Sequence, residues 1–306
     1  MIRLFAAACC AIIVMAGTST HAQERERLGY GRLVTNDIFG DMQDRWRTGS
    51  IASSRVWGRG WNGAPPERFG DILELRFGGE IIAPNDAITP APGDRPYAGA
   101  LSVGLHTHFR TGALDMAVGA DMVVTGPQTG LDGFQDALHS LLGVSGTSAG
   151  VRAAQIPDGL HPTLVVEAGH VVSLSERARL RPFVEGRAGV ENILRAGADL
   201  TIGQMGRGEL LVRDPVTGQR YRAIRQVDAG YSFVVGGDIA KVSDSVYLPA
   251  SRGYRLTDRR ERVRAGVHWQ GESGQSAYYG LTWLGREFKA QSGGQLVGSL
   301  RLKLAF

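Results

Sequence analysis

Apolar and polar residues alternate with a period of two in many segments of the chain. In segment 113–124 every second position is apolar, whereas Asp115, Gly119 and Asp121 lie at positions between them. A period of two places neighbouring side chains on opposite faces of a β-strand. The same alternation occurs in three further segments, 73–78, 101–110 and 262–269. The sequence therefore predicts an all-β protein whose strands each have one apolar and one polar face.

The end of the chain indicates that the apolar faces contact lipid. Leu300, Leu302, Leu304 and the terminal Phe306 lie on one face of the last strand, and polar residues alternate with them. A soluble protein that ends in an edge strand is the alternative, but such an exposed apolar row promotes aggregation. Closing the sheet into a barrel pairs every edge, and lipid then covers the apolar face. We therefore predict a transmembrane antiparallel β-barrel in a bacterial outer membrane.

About twelve segments are long enough to cross a bilayer as tilted strands, which takes about 9–11 residues each. The predicted strands are 28–37, 47–57, 70–83, 97–110, 113–125, 163–174, 177–191, 195–203, 228–241, 261–270, 276–288 and 295–306. The eighth and ninth of these alternate least, and an error of one hairpin would give ten or fourteen strands, because bacterial barrels use even numbers. No repeat or linker divides residues 23–306, which we assign to a single barrel domain.

The N-terminal 22 residues predict a cleaved signal peptide. Arg3 precedes the apolar stretch 4–16, and small and polar residues follow it up to Ala22. A lipoprotein anchor on Cys9 or Cys10 is the alternative, but both cysteines lie inside the apolar stretch and not after it. Cleavage after Ala22 leaves a mature chain without cysteine, and therefore without a disulfide or a thiol nucleophile.

One segment, 125–143, departs from the period of two and predicts a short amphipathic helix inserted in a barrel loop. Apolar residues recur there at helical spacing: Leu131, Phe134, Leu138, Leu141 and Leu142. Thr129 or Asp132 can cap its start. Gln135 and His139 are four residues apart and share a helix face. Taken alone, that face is either functional or simply solvated.

Several short motifs, taken together and in this order, resemble the outer-membrane lipid A 3′-O-deacylase family (LpxR). The motifs are Asn36-Asp37-Ile38-Phe39, Asp44-Arg45 with Thr48, Asp94-Arg95-Pro96-Tyr97-Ala98-Gly99, Gly126-Pro127 leading to Gln135 and His139, Arg286-Glu287-Phe288-Lys289, and the closing Phe306. Each motif is weak alone, because an Asn-Asp pair at a strand end is usually a turn. The resemblance rests on the order of these motifs along a barrel that the strand pattern predicts independently. The specific matches cover about a third of the chain.

The resemblance implies a twelve-stranded outer-membrane barrel that hydrolyses acyl esters of lipid A in the outer leaflet with a calcium ion. Asp37 would be a calcium ligand, and Thr48 would help to form the cation site. Asn36 and Gln135 would orient groups or contact the substrate, and His139 would be the general base. An oxygen-bound cation can polarise an ester carbonyl while a histidine deprotonates water. The expected partners are lipopolysaccharide and the bilayer, without nucleic acid, and we expect a monomer.

The chain departs from the family pattern at three charged or aromatic positions. Ser145 stands where the family has a Glu six residues after the His, and no Lys precedes the Asp-Arg motif. Arg47 stands where an aromatic residue usually precedes the Thr. Three other acids are possible spatial substitutes for the missing carboxylate: Asp86, Asp136 and Asp158. A catalytically altered or inactive family member, and a small passive channel, therefore stay open as alternatives to the deacylase.

The basic charge is nearly all arginine, and much of it falls on the predicted inward faces. The formal net charge is +4 and the sequence pI is about 9.3, which does not imply nucleic acid in an exported protein. The inward arginines are Arg76, Arg110, Arg179, Arg181, Arg187, Arg262, Arg264 and Arg301. Guanidinium groups pair well with phosphate, and lipid A is phosphorylated. The alternative is that these arginines pair with inward acids of neighbouring strands.

Overall fold

The computed structural model describes residues 24–143, 146–226 and 228–304, which form an antiparallel β-barrel with a hairpin inside it. The predicted signal peptide, Ser145 and Phe306 lie outside the described residues. The strands are β1 (Glu26–Asn36), β2 (Trp46–Gly58), β3 (Ile72–Ala83), β4 (Ala98–Thr111), β5 (Leu114–Thr125), β6 (Gly159–Gly169), β7 (Val172–Ser173), β8 (Ala178–Ala188), β9 (Glu191–Ile202), β10 (Leu210–Arg213), β11 (Arg220–Ile224), β12 (Gly230–Ser245), β13 (Arg260–Gln270), β14 (Ser276–Leu284) and β15 (Gln295–Lys303).

Twelve long strands close the barrel, as the sequence predicts. Neighbouring strands pair in chain order, except that β6 pairs with β8 and β9 pairs with β12. β1 and β15 join the ends of the sheet, and Thr35 lies opposite Ser299 at this seam. The Thr35 and Ser299 hydroxyls are 2.7 Å apart inside the barrel. None of the helices formed by the described residues is sufficiently long and apolar to traverse a membrane.

The outer face of the barrel is apolar, as expected for a wall that contacts lipid. Exposed apolar side chains occur on successive strands, among them Leu164, Val184, Leu194, Phe233 and Val263. Several strand boundaries differ from the prediction by up to five residues, as at 163–174, where β6 spans Gly159–Gly169. At 177–191 a turn at Gly189 and Val190 ends β8. Gly189 has a φ of 151°, and a Cβ there would approach the Pro162 carbonyl oxygen. The alternation continues across this turn, so the sequence pattern does not reveal it.

The β10–β11 hairpin fills the lumen, and the sequence pattern did not predict it. Tyr221 Oη lies 2.7 Å from Ser54 Oγ on the barrel wall. Arg213 Nε donates to Glu167 Oε2 at 2.8 Å. Gly29 and Gly31 of β1 allow the hairpin backbone to approach, since a Cβ at either position would collide with one of its carbonyl oxygens. The hairpin therefore occupies the space that a channel would need.

Most inward arginines pair with inward acids, which confirms the second of the two alternatives for them. The pairs are Arg76 with Glu74, Arg110 with Asp115, Arg181 with Glu167, Arg187 with Glu185, Arg262 with Asp238, and Arg264 with Asp199 and Asp238. Arg179 donates to the carbonyl oxygens of Gly203 and Met205. Arg179 and Arg301 are thus the two exceptions, because no carboxylate of the described residues lies within ion-pair distance of either.

The predicted amphipathic helix is present as α1 (Leu131–Leu142), in the connection between β5 and β6. It begins after Gly130, with Thr129 Oγ1 3.4 Å from the Leu131 amide, and it ends at Gly143 with a left-handed φ of 69°. A second, five-residue helix α2 (Ala149–Ala153) follows in the same connection. We call this end of the barrel, where β1 ends, the site end, and the opposite end, where β1 begins, the terminal end.

Candidate functional site

The exit from β1 places Asn36 and Asp37 at the site end. Asn36 is the last residue of the strand, and Asp37 begins a single 3-10 turn. Asn36 Oδ1 accepts a hydrogen bond from the Ile38 amide at 2.8 Å, which caps that turn. Asp37 is buried, and its Oδ2 accepts from the Arg45 amide at 3.1 Å. The cap and this contact fix the position of the Asp37 carboxylate.

A β-bulge in β2 directs Thr48 to the same place. The register against β3 shifts between Arg47, opposite Ile82, and Gly49, opposite Ile81, so that Thr48 is the extra residue. Arg47 points into the lumen, where its Nη1 donates to Glu80 at 2.6 Å. Thr48 instead lines a groove beside α1. Bulges commonly redirect a side chain in this way next to functional sites.

Helix α1 contributes the two polar side chains that the sequence analysis singled out. Gln135 and His139 are both buried and lie on the helix face turned toward the β1–β2 connection. His139 Nε2 is 3.0 Å from Asp44 Oδ2. Gln135 Nε2 is 3.5 Å from both carboxylate oxygens of Asp44. Asp44 thus links the helix to the barrel wall.

The carboxylates at this site repel one another. Burial and the nearby Asp44 and Asp41 carboxylates raise the pKa of Asp37 to about 8, although hydrogen bonds from backbone amides partly oppose the change. Two buried oxygens beside them, Thr48 Oγ1 and Gln135 Oε1, have no hydrogen-bond partner among the described residues. The site is therefore rich in oxygen atoms, and of its carboxylates Asp41 pairs with Arg45 while Asp44 contacts His139.

The groove beside these residues is apolar and opens on the outer wall of the barrel. It has a volume of about 610 Å³. Exposed apolar side chains line it, namely Val34, Ile38, Met42, Ile51, Leu101, Phe134 and Leu138. One end of the groove carries the polar cluster, and the remainder follows the lipid-facing surface. This arrangement suits a molecule with a polar head and a hydrocarbon chain.

The structure brings all five predicted site residues to this groove: Asn36, Asp37, Thr48, Gln135 and His139. It adds Asp44, which the sequence offered only as part of a motif. The three acids considered as substitutes for the missing Glu do not line the groove. Asp136 pairs with Arg152, Asp158 accepts from the Gln128 amide, and Asp86 accepts from two amides of its own loop.

The donor set fits a hard cation such as calcium, which binds carboxylate, amide and hydroxyl oxygens. Asp37 and Asp44 supply carboxylates, and the unpartnered Thr48 Oγ1 and Gln135 Oε1 supply neutral oxygens. In the part of the chain that the structure describes, no cluster of three or more His, Cys, Asp or Glu has metal-binding geometry. A cation here would therefore rely on the neutral oxygens as well as on carboxylates.

Comparisons with known proteins agree with this fold. No curated protein matches the chain. Among solved structures, LpxR from Salmonella typhimurium aligns over 89% of this chain and 98% of its own, with a TM-score of 0.71 at 18% identity. The NanC porin aligns over 90% of this chain and 100% of its own at 7% identity, with a TM-score of 0.39. A family model described as outer membrane protein LpxR matches residues 4–306. Since this match covers nearly the whole sequence, the chain belongs to the LpxR family of outer-membrane proteins.

Proposed function

We propose that the protein hydrolyses an ester-linked acyl chain of lipid A, at the 3′ position, in the outer leaflet of the outer membrane. The observation that carries this proposal is the meeting of His139, Asp44 and Asp37 at the polar end of an apolar groove on the lipid-facing wall. A water-soluble ester would not need a groove that opens into lipid. The choice of lipid A and of the 3′ position rests on family membership.

The lengths of the connections between strands support a location of the site in the outer leaflet. Bacterial barrels have short periplasmic turns and long extracellular loops. Three connections at the site end are long, namely 84–97, 126–158 and 246–259, whereas 112–113, 170–177 and 271–275 at the terminal end are short. The terminal end also carries two longer segments, 59–71 and 203–229, and the second of these enters the lumen as the β10–β11 hairpin. The site end is therefore assigned to the cell surface, where lipid A resides.

His139 and Asp44 supply the acid–base chemistry of the proposal. When water attacks the ester carbonyl, His139 takes the proton that the water loses. It returns this proton to the alcohol oxygen as the bond between that oxygen and the acyl carbon breaks, which releases the fatty acid and the alcohol. Asp44 Oδ2, 3.0 Å from His139 Nε2, stabilises the imidazolium that forms. Asn36 and Gln135 orient the polar part of the substrate, and the apolar groove holds its acyl chain. No serine nucleophile is needed.

Calcium is the cation that the residues would hold, with Asp37, Asp44, Thr48 and Gln135 as the oxygen donors. When bound, it would polarise the ester carbonyl and stabilise the oxyanion. Asp44 would provide the second carboxylate that the family obtains from the Glu replaced here by Ser145. Asp44 lines the same groove as Asp37, Thr48 and Gln135, which supports this assignment.

One observation weighs against the passive channel. The β10–β11 hairpin lies inside the barrel and hydrogen-bonds to several wall strands, for example through Gln219 Nε2 to Thr282 Oγ1 at 3.2 Å. A lumen filled in this way should conduct few ions. A catalytically inactive family member stays distinguishable by experiment.

The test is fatty-acid release from lipid A in mixed micelles by the purified barrel, with calcium present. We expect His139→Ala to lower turnover by about 10²-fold or more, as for other general bases. His161→Ala is the matched control, because His161 contacts Thr125 at the same end of the barrel but does not line the groove. Equal rates for the wild type and His139→Ala would refute the proposed base. No release by a folded, calcium-bound wild type would identify an inactive member.

A further inference from the structure

Cationic side chains cluster around Tyr30 at the terminal end of the barrel, far from the candidate site. The guanidinium carbons of Arg27 and Arg225 each lie 5.3 Å from the centre of the Tyr30 ring. The guanidinium carbon of Arg55 lies 5.9 Å from the same point. Arg225 comes from the end of the lumenal hairpin, whereas the other two come from the barrel wall. Three separate segments of the chain therefore deliver positive charge to one aromatic ring.

Two further cations belong to this group. Arg301 and Lys303 lie two residues apart on β15, and both interact electrostatically with Arg225 and Tyr30. We call Arg27, Arg55, Arg225, Arg301 and Lys303, together with the ring, the Tyr30 cluster. Among the residues that the structure describes, none of these five cations has a carboxylate within 4.0 Å. Arg27 and Arg55 are exposed and Arg225 and Lys303 are half-buried, so water screens part of the repulsion, and an anion bound among the five cations would lower it further.

Arg301 is the most buried cation of the Tyr30 cluster, with a relative exposure of 6%. Glu209 is the acid in its vicinity, but Glu209 already forms an ion pair with Arg222. Arg222 is also held by Gln270 Oε1 at 2.8 Å. The Arg301 guanidinium makes neither a hydrogen bond nor an ion pair with a described residue, and its nitrogens are not among the fully buried unpartnered atoms. Its donors are therefore open to solvent or to an anionic ligand.

The cluster lies where the barrel wall meets the membrane. β1 and β15 pair through residues 34–36 and 298–300, near the site end of the seam. Closer to the terminal end, β11 packs against the inner side of β1 at Gly29 and Gly31. Leu302 of β15 and Leu304 just after it are exposed on the outer face, at 63% and 67%, whereas Arg301 and Lys303 lie on the opposite, inner face. The two faces meet at the rim where β15 ends. An apolar surface thus adjoins the uncompensated positive charge.

We propose that the Tyr30 cluster binds the phosphate of an anionic glycerophospholipid in the periplasmic leaflet, with an acyl chain packed along the outer face of β15. Guanidinium groups bind phosphate through paired, charge-assisted hydrogen bonds. The terminal end, with the short turns 112–113 and 271–275, faces the periplasm in the orientation proposed above. The site is thus separate from the groove that holds His139, and its occupancy does not depend on ester hydrolysis.

The test is calorimetric titration of the purified full-length barrel in neutral detergent micelles. The probes are a short-chain phosphatidylglycerol, the phosphatidylcholine of the same chain length, and inorganic phosphate. We expect the phosphatidylglycerol to bind at least tenfold more tightly than either of the others. Arg225→Gln and Arg301→Gln should each weaken its binding about tenfold, because each removes a charge-assisted contact.

The matched control is Arg177→Gln, which removes an exposed arginine from the same end of the barrel, in the turn before β8. Its binding should equal that of the wild type. Unchanged affinity in Arg225→Gln would overturn the proposal, and so would equal losses in Arg177→Gln and Arg225→Gln. Inorganic phosphate that binds as tightly as the phosphatidylglycerol would overturn the lipid assignment. Heat-modifiable mobility on gels verifies that each variant is folded. If Arg301→Gln does not fold, the affinity of Arg225→Gln for the phosphatidylglycerol alone tests the proposal.

Discussion

Calcium binding at the candidate site should depend steeply on pH, because Asp37 holds a proton at neutral pH when no cation is present. Burial and the adjacent acidic side chains raise its pKa to about 8. The carboxylate is then half ionised at pH 8 and about 1% ionised at pH 6. Since a cation binds the ionised form, its apparent affinity should fall about 50-fold between pH 8 and pH 6.

Folding raises the pKa of Asp37, and this direction decides how the stability of the barrel changes with pH. A carboxyl group whose pKa is raised by folding stabilises the fold below its ordinary pKa, and this contribution is lost as the pH rises through about 8. Above pH 8 the cation-free barrel therefore carries a buried negative charge, and calcium relieves it. Calcium should accordingly raise the melting temperature more at pH 8.5 than at pH 6.

The assay is calorimetric titration of calcium into the purified barrel from pH 6 to pH 9, in two buffers of different ionisation enthalpy. The wild type should release about one proton per ion at pH 7. Asp37→Asn should bind more weakly and lose most of the pH dependence. His139→Gln, the control, should retain it, because Asp37 is intact. A calcium affinity of the wild type that does not change with pH would show that Asp37 does not ionise when calcium binds.

Three further outcomes are expected. Asp44→Asn should lower turnover about tenfold or more with little change in folding, since His139 loses the carboxylate that stabilises its imidazolium; steady-state kinetics measures this. Tyr221→Phe should lower the free energy of unfolding by about 0.5–1.5 kcal/mol in urea titrations, because Ser54 Oγ loses its contact with Tyr221 but still donates to Glu74. Gly31→Val should displace the lumenal hairpin and raise single-channel conductance in planar bilayers, since its Cβ would lie 2.5 Å from a hairpin carbonyl oxygen.

The barrel could be predicted from the sequence because lipid on one side and polar side chains on the other impose a period of two. The hairpin could not be predicted in this way, because no lipid lies on one side of its strands to impose that period. Leu210–Arg213 and Arg220–Ile224 are short, and both of their faces are buried in a mixed environment. Val212 and Ala223 pack in an apolar cluster, while Arg213 and Arg222 form ion pairs. No regular alternation follows from such surroundings.

The candidate site was predicted residue by residue, but its geometry was not. Simple alternation from Ala52 and Ser54 would point Thr48 into the lumen and Arg47 outward, and the bulge reverses both. The contact between Asp44 and His139 joins residues from separate connections at the site end. Nothing in a single sequence reports such a distant pairing. The resemblance supplied the residue identities, and the fold supplied their meeting point.

Mass spectrometry of lipid A from cells that express the wild type or His139→Ala, with and without calcium, tests the proposed deacylation most directly. We expect wild-type lipid A to lose the mass of one ester-linked acyl group only when calcium is present. We expect no loss in His139→Ala at equal outer-membrane abundance. Unchanged lipid A in calcium-supplied wild-type cells, or equal loss in both strains, would contradict the proposal.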